Sequence, residues 1–390
     1  MDIFAPTVRL RGRCRGKKLR GEEEKSMSEE AAGRKRETWI DALKGFAALT
    51  VILGHIVSGY LEAGLFEAQK KILITVFNGI YAFHMPLFFV ISGFVFSLAY
   101  PDRKDRPGKT KICLQLGNIA VVYLLWSLLL GGLKIVFSES VSNPVLLTDL
   151  LWIPLKAIGL YWYLYVLFLC YLTAMLLIGK QNDRRNYIVY IAALIFCLCK
   201  HMIFLLLPPE YTAFLFFEYG FFFFLGVFLQ QNPRVLACIA KPVGFLLSGA
   251  AGIGMAVFFL SGADEVRNWG SIRFGGAIMA SALSMSVLGL AKWCAGKRIS
   301  EVLAPIGRYS LEIFLIQTFV IAADRTILPV IGITDFGVNL CISFMTAILV
   351  PILLSLMTKK LQIHSLLFRP VSWFADRKRK AGADRTEDHT

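Results

Sequence analysis

Lys44 and His55 are the residues of this chain best placed to do chemistry. Both lie in an apolar stretch that opens Trp39-Ile40-Asp41-Ala42-Leu43-Lys44-Gly45-Phe46 and reaches Gly54-His55. They are eleven positions apart. At about 100° per residue that separation closes about three helical turns, so both side chains share one face. A rise of about 1.5 Å per residue sets them roughly 16 Å apart, about half of a hydrocarbon core. A charge and a titratable ring inside lipid are costly and by default mark a functional site. A histidine there can act as a general base, because its ordinary pKa lies near neutrality. The competing reading is a core histidine satisfied by a neighbouring helix. Asp41, Lys44, Ala48, Val51, His55 and Gly59 form one stripe at helical spacing. Its small residues allow a close neighbour, and its polar ones need a protein interior or a wet cavity.

The rest of the chain must build that interior. Of its 390 residues 56% are hydrophobic and the mean hydropathy is +0.61, which excludes a soluble globule. Apolar runs of about 18 residues or more read as membrane helices. The net charge is +15, but the basic residues gather in tails and alternate loops. That is a pattern of membrane orientation, and no soluble domain exists to carry a nucleic-acid surface. The eight cysteines form no Cys-x-x-Cys pair, so neither a metal site nor a disulfide framework is expected.

Ten spans are expected, near 40–60, 73–99, 112–137, 158–178, 187–207, 212–229, 236–260, 272–291, 309–328 and 338–357. Basic residues follow the even-numbered spans: Arg103, Lys104, Arg106, Lys109 and Lys111; Lys180, Arg184 and Arg185; Lys292, Lys297, Arg298 and Arg308; Lys359 and Lys360. The positive-inside rule then puts both termini in the cytoplasm. The fold class is an all-α integral membrane protein, with a disordered tail over 1–37, a membrane domain over 38–360 and an interfacial tail over 361–390. No cleavable signal peptide is expected, and residues 1–26, ahead of Met27, read as a dispensable extension. Trp152-Ile153-Pro154 reads as a re-entrant or interfacial turn. Leu361–Phe368, with Trp373 and Phe374, reads as a short interfacial helix.

Span 2 carries Phe83-His84-Met85-Pro86-Leu87-Phe88-Phe89-Val90-Ile91-Ser92-Gly93-Phe94. Pro86 is expected to break one backbone bond inside this helix, and Ser92-Gly93 to permit close helix contact. On the topology above, His84 returns to the depth of His55. By itself it suits a structural or a chemical role equally. Glu218, Arg273, Glu312, Asp324 and Arg325 are further charges in or beside spans. A structural pairing of Glu218 with Arg273 or Arg325 is favoured over catalysis, and Glu312 has no partner that can be named. The run Phe221-Phe222-Phe223-Phe224 reads as bundle core or lipid face.

Taken in order, these segments resemble the acyltransferase 3 family. Lys44, ten intervening residues and His55 match the family's hallmark of a basic residue followed by a histidine. The segment ending Ser92-Gly93-Phe94 is a second hallmark. Tyr161-Trp162-Tyr163-Leu164, Phe223-Phe224-Leu225-Gly226 and Gly307-Arg308-Tyr309-Ser310-Leu311-Glu312-Ile313-Phe314-Leu315 resemble later ones, so the likeness covers roughly 38–357. There are departures. Asn118 and Val122 stand where arginine and proline are common, Leu160 and Tyr161 stand where a histidine often precedes the tryptophan, and Gln317 where a histidine often closes the last segment.

The resemblance implies a membrane-embedded O-acyltransferase, most often an acetyltransferase, with acyl-coenzyme A as donor and no metal. Its partners would be the donor, membrane lipids and a hydroxyl acceptor on a cell-envelope polysaccharide or lipid-linked glycan in the bacterial inner membrane; no nucleic acid is implied. Lys44, Arg106, Lys109 and Lys111 would receive the donor's phosphates. His55 would deprotonate the acceptor, with His84 beside it. Asp41, Ser92, Gly93, Trp162, Glu218 and Arg273 would support the site. Succinyl transfer or acylation of a small metabolite are close variants. A glycan-precursor transporter is the rival from another class, although no inverted repeat or paired broken helices are evident.

Overall fold

The computed structural model describes residues 37–100, 109–138, 144–181, 183–199, 210–260, 273–375 and 377. Among them no strand occurs, and the chain is an all-α multi-pass membrane protein. The helices are α1 (Thr38–Glu62), α2 (Lys70–Tyr81), α3 (His84–Ala99), α4 (Lys109–Val136), α5 (Trp162–Leu177), α6 (Arg184–Leu198) and α7 (Phe214–Gln231). They continue with α8 (Pro233–Ile239), α9 (Pro242–Leu260), α10 (Arg273–Trp293), α11 (Arg298–Arg308), α12 (Ser310–Val330), α13 (Phe336–Lys360) and α14 (His364–Phe368).

Nine helical segments among the described residues are long and apolar enough to cross a membrane. They correspond to nine of the ten expected spans. The segment expected at 187–207 begins with α6, whose fifteen residues are too short to cross alone, and residues 200–209 lie outside the described part. The expected tail over 1–37 lies outside it too, apart from Glu37.

α1 sits at the centre, packed against α2, α3, α10, α11, α12 and α13. Of its most apolar window 72% is buried, against 11% for Pro242–Phe259 in α9. The difference follows from side chains. α9 turns Leu246, Leu247, Val257 and Phe258 outward, as a lipid-facing helix must, while α1 buries both its apolar residues and its charges.

Two glycine pairs set the closest approaches. A methyl group on Gly307 would collide with the Asp41 carbonyl, and one on Gly45 with the Leu303 carbonyl, so α11 lies backbone to backbone against α1. In the same way Gly93 meets the Phe223 carbonyl and Gly226 the Val90 carbonyl, which seats α3 on α7. Helices in lipid gain little from hydrophobic burial against one another, so such close backbone packing carries much of their association. The Phe221–Phe224 run lies along the second seam, and Phe222, Phe223 and Phe224 are bundle core.

Span 2 is broken. α2 ends at Tyr81, and α3 begins at His84 after two residues. The structure corrects the expectation for Pro86. It is the third residue of α3, where the backbone N–H would have no helical acceptor, so no ladder bond is lost. The interruption falls just ahead of it, at Ala82-Phe83, and the Leu87 amide bonds the Phe83 carbonyl at 2.8 Å.

After α4 a 3₁₀ turn over Leu147–Trp152 leads Ile153 back into the protein, where it is 1% exposed. The Tyr123 hydroxyl donates to the Ile153 carbonyl. The Ala157 amide donates to Thr212 Oγ1 at 2.7 Å. α14 is held more tightly than a surface helix. Phe368 is buried, its ring packs 5.8 Å from that of Trp126, and the Leu367 carbonyl accepts from Trp126 Nε1 at 3.3 Å. Asn118, one of the departures from the family pattern, anchors the chain beyond α14 by donating to Ser372 Oγ at 2.7 Å.

Candidate active site

The site is built along α1. Asp41, Lys44, Ala48, Val51 and Gly59 are all buried, and His55 is half-buried, so the stripe faces the protein interior. Packing selects this face because α11 can approach only where Gly45 and Gly307 leave room.

At the Lys44 end the charges converge. Lys44 Nζ lies 3.7 Å from Asp41 Oδ1, and Arg308 Nε lies 4.0 Å from Asp41 Oδ2. Asp41 therefore stands between two cations, each on a different helix. Burial of a lone ammonium would be costly, and the carboxylate offsets that cost. Arg308 is exposed, so this end opens outward. Close by, Lys292 lies 4.8 Å from the centre of the Trp39 ring, adding a third cation held by its aromatic face.

At the other end two histidines flank one tyrosine. The His55 and Tyr81 rings meet edge to face at 6.5 Å, and the Tyr81 and His84 rings at 4.5 Å. Tyr81 reaches both because α2 ends there and the break turns His84 inward. Gly54 leaves room for this, as a methyl group on it would stand 3.3 Å from the Tyr81 ring and 3.1 Å from Ile80. His84 is buried, and its Nδ1 lies 2.9 Å from the Ile80 carbonyl. A carbonyl cannot donate, so Nδ1 carries the proton, and a neutral ring keeps the lone pair on Nε2. The arrangement thus offers bases at one end of a polar stripe and cations at the other.

The supporting residues separate into groups. Ser92 Oγ and Tyr163 Oη are 2.7 Å apart, joining α3 to α5. Gly93 forms the α3–α7 seam. Trp162 packs against Tyr219 at 4.8 Å and Phe89 at 6.2 Å, in the same aromatic layer. Glu218 is half-buried on α7. Arg325 turns to α1, where Nη1 donates to the Gly59 carbonyl at 3.4 Å. Arg106 and the side chains of Lys109, Lys111 and Arg273 lie outside the described part. Among the described residues no three His, Cys, Asp or Glu side chains are grouped so as to hold a metal ion.

Sequence reasoning misses several members. By sequence Arg308 is only a loop cation and Tyr81 gives no signal, because a partner on another helix leaves no trace in local spacing. The partner that Glu312 needs is His364, with Nε2 at 3.2 Å from Oε1. Their separation of 52 residues hides that contact from any local pattern.

The chain is similar to one described family and to two relatives. Residues 37–356 match a family described as an acyltransferase domain. Nodulation protein NolL of Mesorhizobium japonicum is 27% identical over 300 residues, 74% of this chain and 77% of its own. Nodulation protein NolL of Sinorhizobium fredii is 26% identical over 210 residues, 53% of each chain. No solved structure matches the chain. The matched stretch runs from the first residue before α1 almost to the end of α13 and so takes in both ends of the buried stripe. On that match the chain is an acyltransferase and belongs to the acyltransferase 3 family.

Proposed function

We propose that this acyltransferase moves an acetyl group from cytoplasmic acyl-coenzyme A to a hydroxyl of a cell-envelope polysaccharide or lipid-linked glycan. It would work in a bacterial inner membrane with both termini in the cytoplasm and the catalytic domain spanning 38–360. One observation carries the reading: a single buried face of α1 leads from the Asp41–Lys44–Arg308 charges to His55 beside Tyr81 and His84.

The donor's nucleotide is multiply charged and stays at the aqueous face. Lys44 and Arg308, with Arg106, Lys109 and Lys111, receive its phosphates. The pantetheine arm lies along the small residues of the stripe, which brings the thioester toward His55. His55 takes the acceptor's hydroxyl proton, the oxygen attacks the thioester carbon, and the C–S bond breaks. The proton then passes to the departing thiolate. General-base help of this kind is worth about 10²–10⁴-fold in rate. His84 supports the reaction from the far side of Tyr81.

The test is a strain producing only His55→Ala. Mass spectrometry of its envelope glycans is expected to show the acyl mass lost while protein level and glycan export hold. Exported glycan that still carries the acyl group at wild-type level would end the proposal.

A further inference from the structure

Gln317 lies in the middle of α12 with no exposed surface, and neither end of its amide has a hydrogen-bond partner among the described residues. Buried serine hydroxyls such as Ser127, Ser284 and Ser355 are also unmet among the described residues, but the other amide and carboxylate side chains with an unmet atom each keep a partner. Glu312 leaves one oxygen unmet but bonds His364 through the other, and Gln231 accepts from Asn186 and Tyr190 through Oε1. A buried amide with donor and acceptor both unmet costs stability, and such groups call for a specific explanation.

Its position supplies one. α1 and α12 run in the same direction. Gly307, just before α12, meets α1 at Asp41 and Gly45, while further along Ile321 and Arg325 meet Gly59. Four residues before Gly59 stands His55, and four residues before Ile321 stands Gln317. One turn on each of two parallel, contacting helices therefore carries the Gly59–Ile321 contact to His55 and Gln317. Ile313 and Ile321 bracket Gln317 on the same face and pack with Ala48, Ile52 and Ile56 of α1. The amide thus faces the seam at the depth of His55.

Resting on the acyltransfer reading above, we infer that Gln317 is a catalytic residue lining the reacting pocket beside His55. Its Nε2 donates to the carbonyl oxygen of the acyl thioester, and its Oε1 accepts from a hydroxyl of the acceptor. Negative charge grows on that carbonyl oxygen as the acceptor oxygen bonds to carbon. It collapses when the C–S electron pair leaves on sulfur, and the proton held by His55 returns to the thiolate. A fixed N–H at this point acts on the transition state more than on the bound donor.

Membranes holding full-length wild type, Gln317→Met, Gln317→His or His55→Ala are supplied with acetyl-coenzyme A. Acetyl transfer to envelope glycan is followed by mass spectrometry, and thermal stability is measured in detergent. Gln317→Met keeps the volume and removes the unmet amide. Its Tm is expected to stay level or rise while kcat falls about 10²–10³-fold, with KM for acetyl-coenzyme A unchanged. Gln317→His restores an N–H and is expected to recover part of the rate. A Met variant at the wild-type rate overturns the inference. So does a loss of rate that tracks a fall in Tm without recovery in Gln317→His. If His55→Ala is inactive while Gln317→Met is unaffected, only the inference about Gln317 falls. If both keep the wild-type rate, the reading of the site falls with it.

Discussion

The α1–α11 seam and the α3–α7 seam use the same packing device for different ends. Each has two glycines whose missing side chains let backbones touch, Gly45 with Gly307 and Gly93 with Gly226. Around the first pair lie Asp41, Lys44 and Arg308. Around the second lie Phe89, Phe94, Phe222, Phe223 and Phe224, all buried. The polar links of the aromatic seam are neutral: Ser97 Oγ donates to Gln230 Oε1 across the seam at 2.7 Å, and Ser92 meets Tyr163 of α5 close by. The charged seam carries the desolvation cost of two buried charges, Asp41 and Lys44. Close packing is therefore a means and not an end. One seam fixes the bundle, and the other holds costly charges in register with His55.

Substitution at the glycines is expected to separate the two seams by the largest effect. Gly226→Ala and Gly307→Ala each push a methyl group into a neighbouring backbone, a strain of about 1–3 kcal/mol or more. Both should lower Tm in detergent. Activity per folded molecule is expected to survive Gly226→Ala and to collapse in Gly307→Ala, since the latter displaces Asp41. Equal specific activities would erase the distinction between the seams.

The next effect is within the charged seam. Asp41→Ala removes the carboxylate that both Lys44 and Arg308 face, and losing one partner of a buried pair costs about 3–5 kcal/mol. Lys44→Ala leaves Asp41 with Arg308, so it should cost less stability and instead raise KM for acyl-coenzyme A. Thermal melts paired with donor titrations check this; an unchanged KM would remove Lys44 from donor binding. Smallest of all, Ser92→Ala should cost about 1 kcal/mol by leaving Tyr163 without that hydroxyl. Its kcat should hold if the aromatic seam is structural, and a large fall in kcat would bring that seam into the reaction.

Much of the molecule is legible in the sequence because it is local. The face shared by Lys44 and His55 follows from helical periodicity, the spans follow from length and hydropathy, and the ordered motifs point to the family. The misreading of Pro86 is also local. A proline in an apolar run reads as a break within a helix, and only the start of α3 at His84 reveals that the break precedes it. Arg308, Tyr81 and His364 are out of reach for another reason. Their roles are contacts between helices, and sequence distance says nothing about which faces meet.

An all-α membrane chain, a polar stripe on its first helix and the two ends of that stripe all follow from residue order. Each is written in the spacing of residues along one segment. Only the packing of helices brings Arg308 of α11 to Asp41, stands Tyr81 between the histidines, and buries Gln317 with its amide unmet among the described residues. Those outcomes depend on which glycines let backbones touch, and that is a property of pairs of helices.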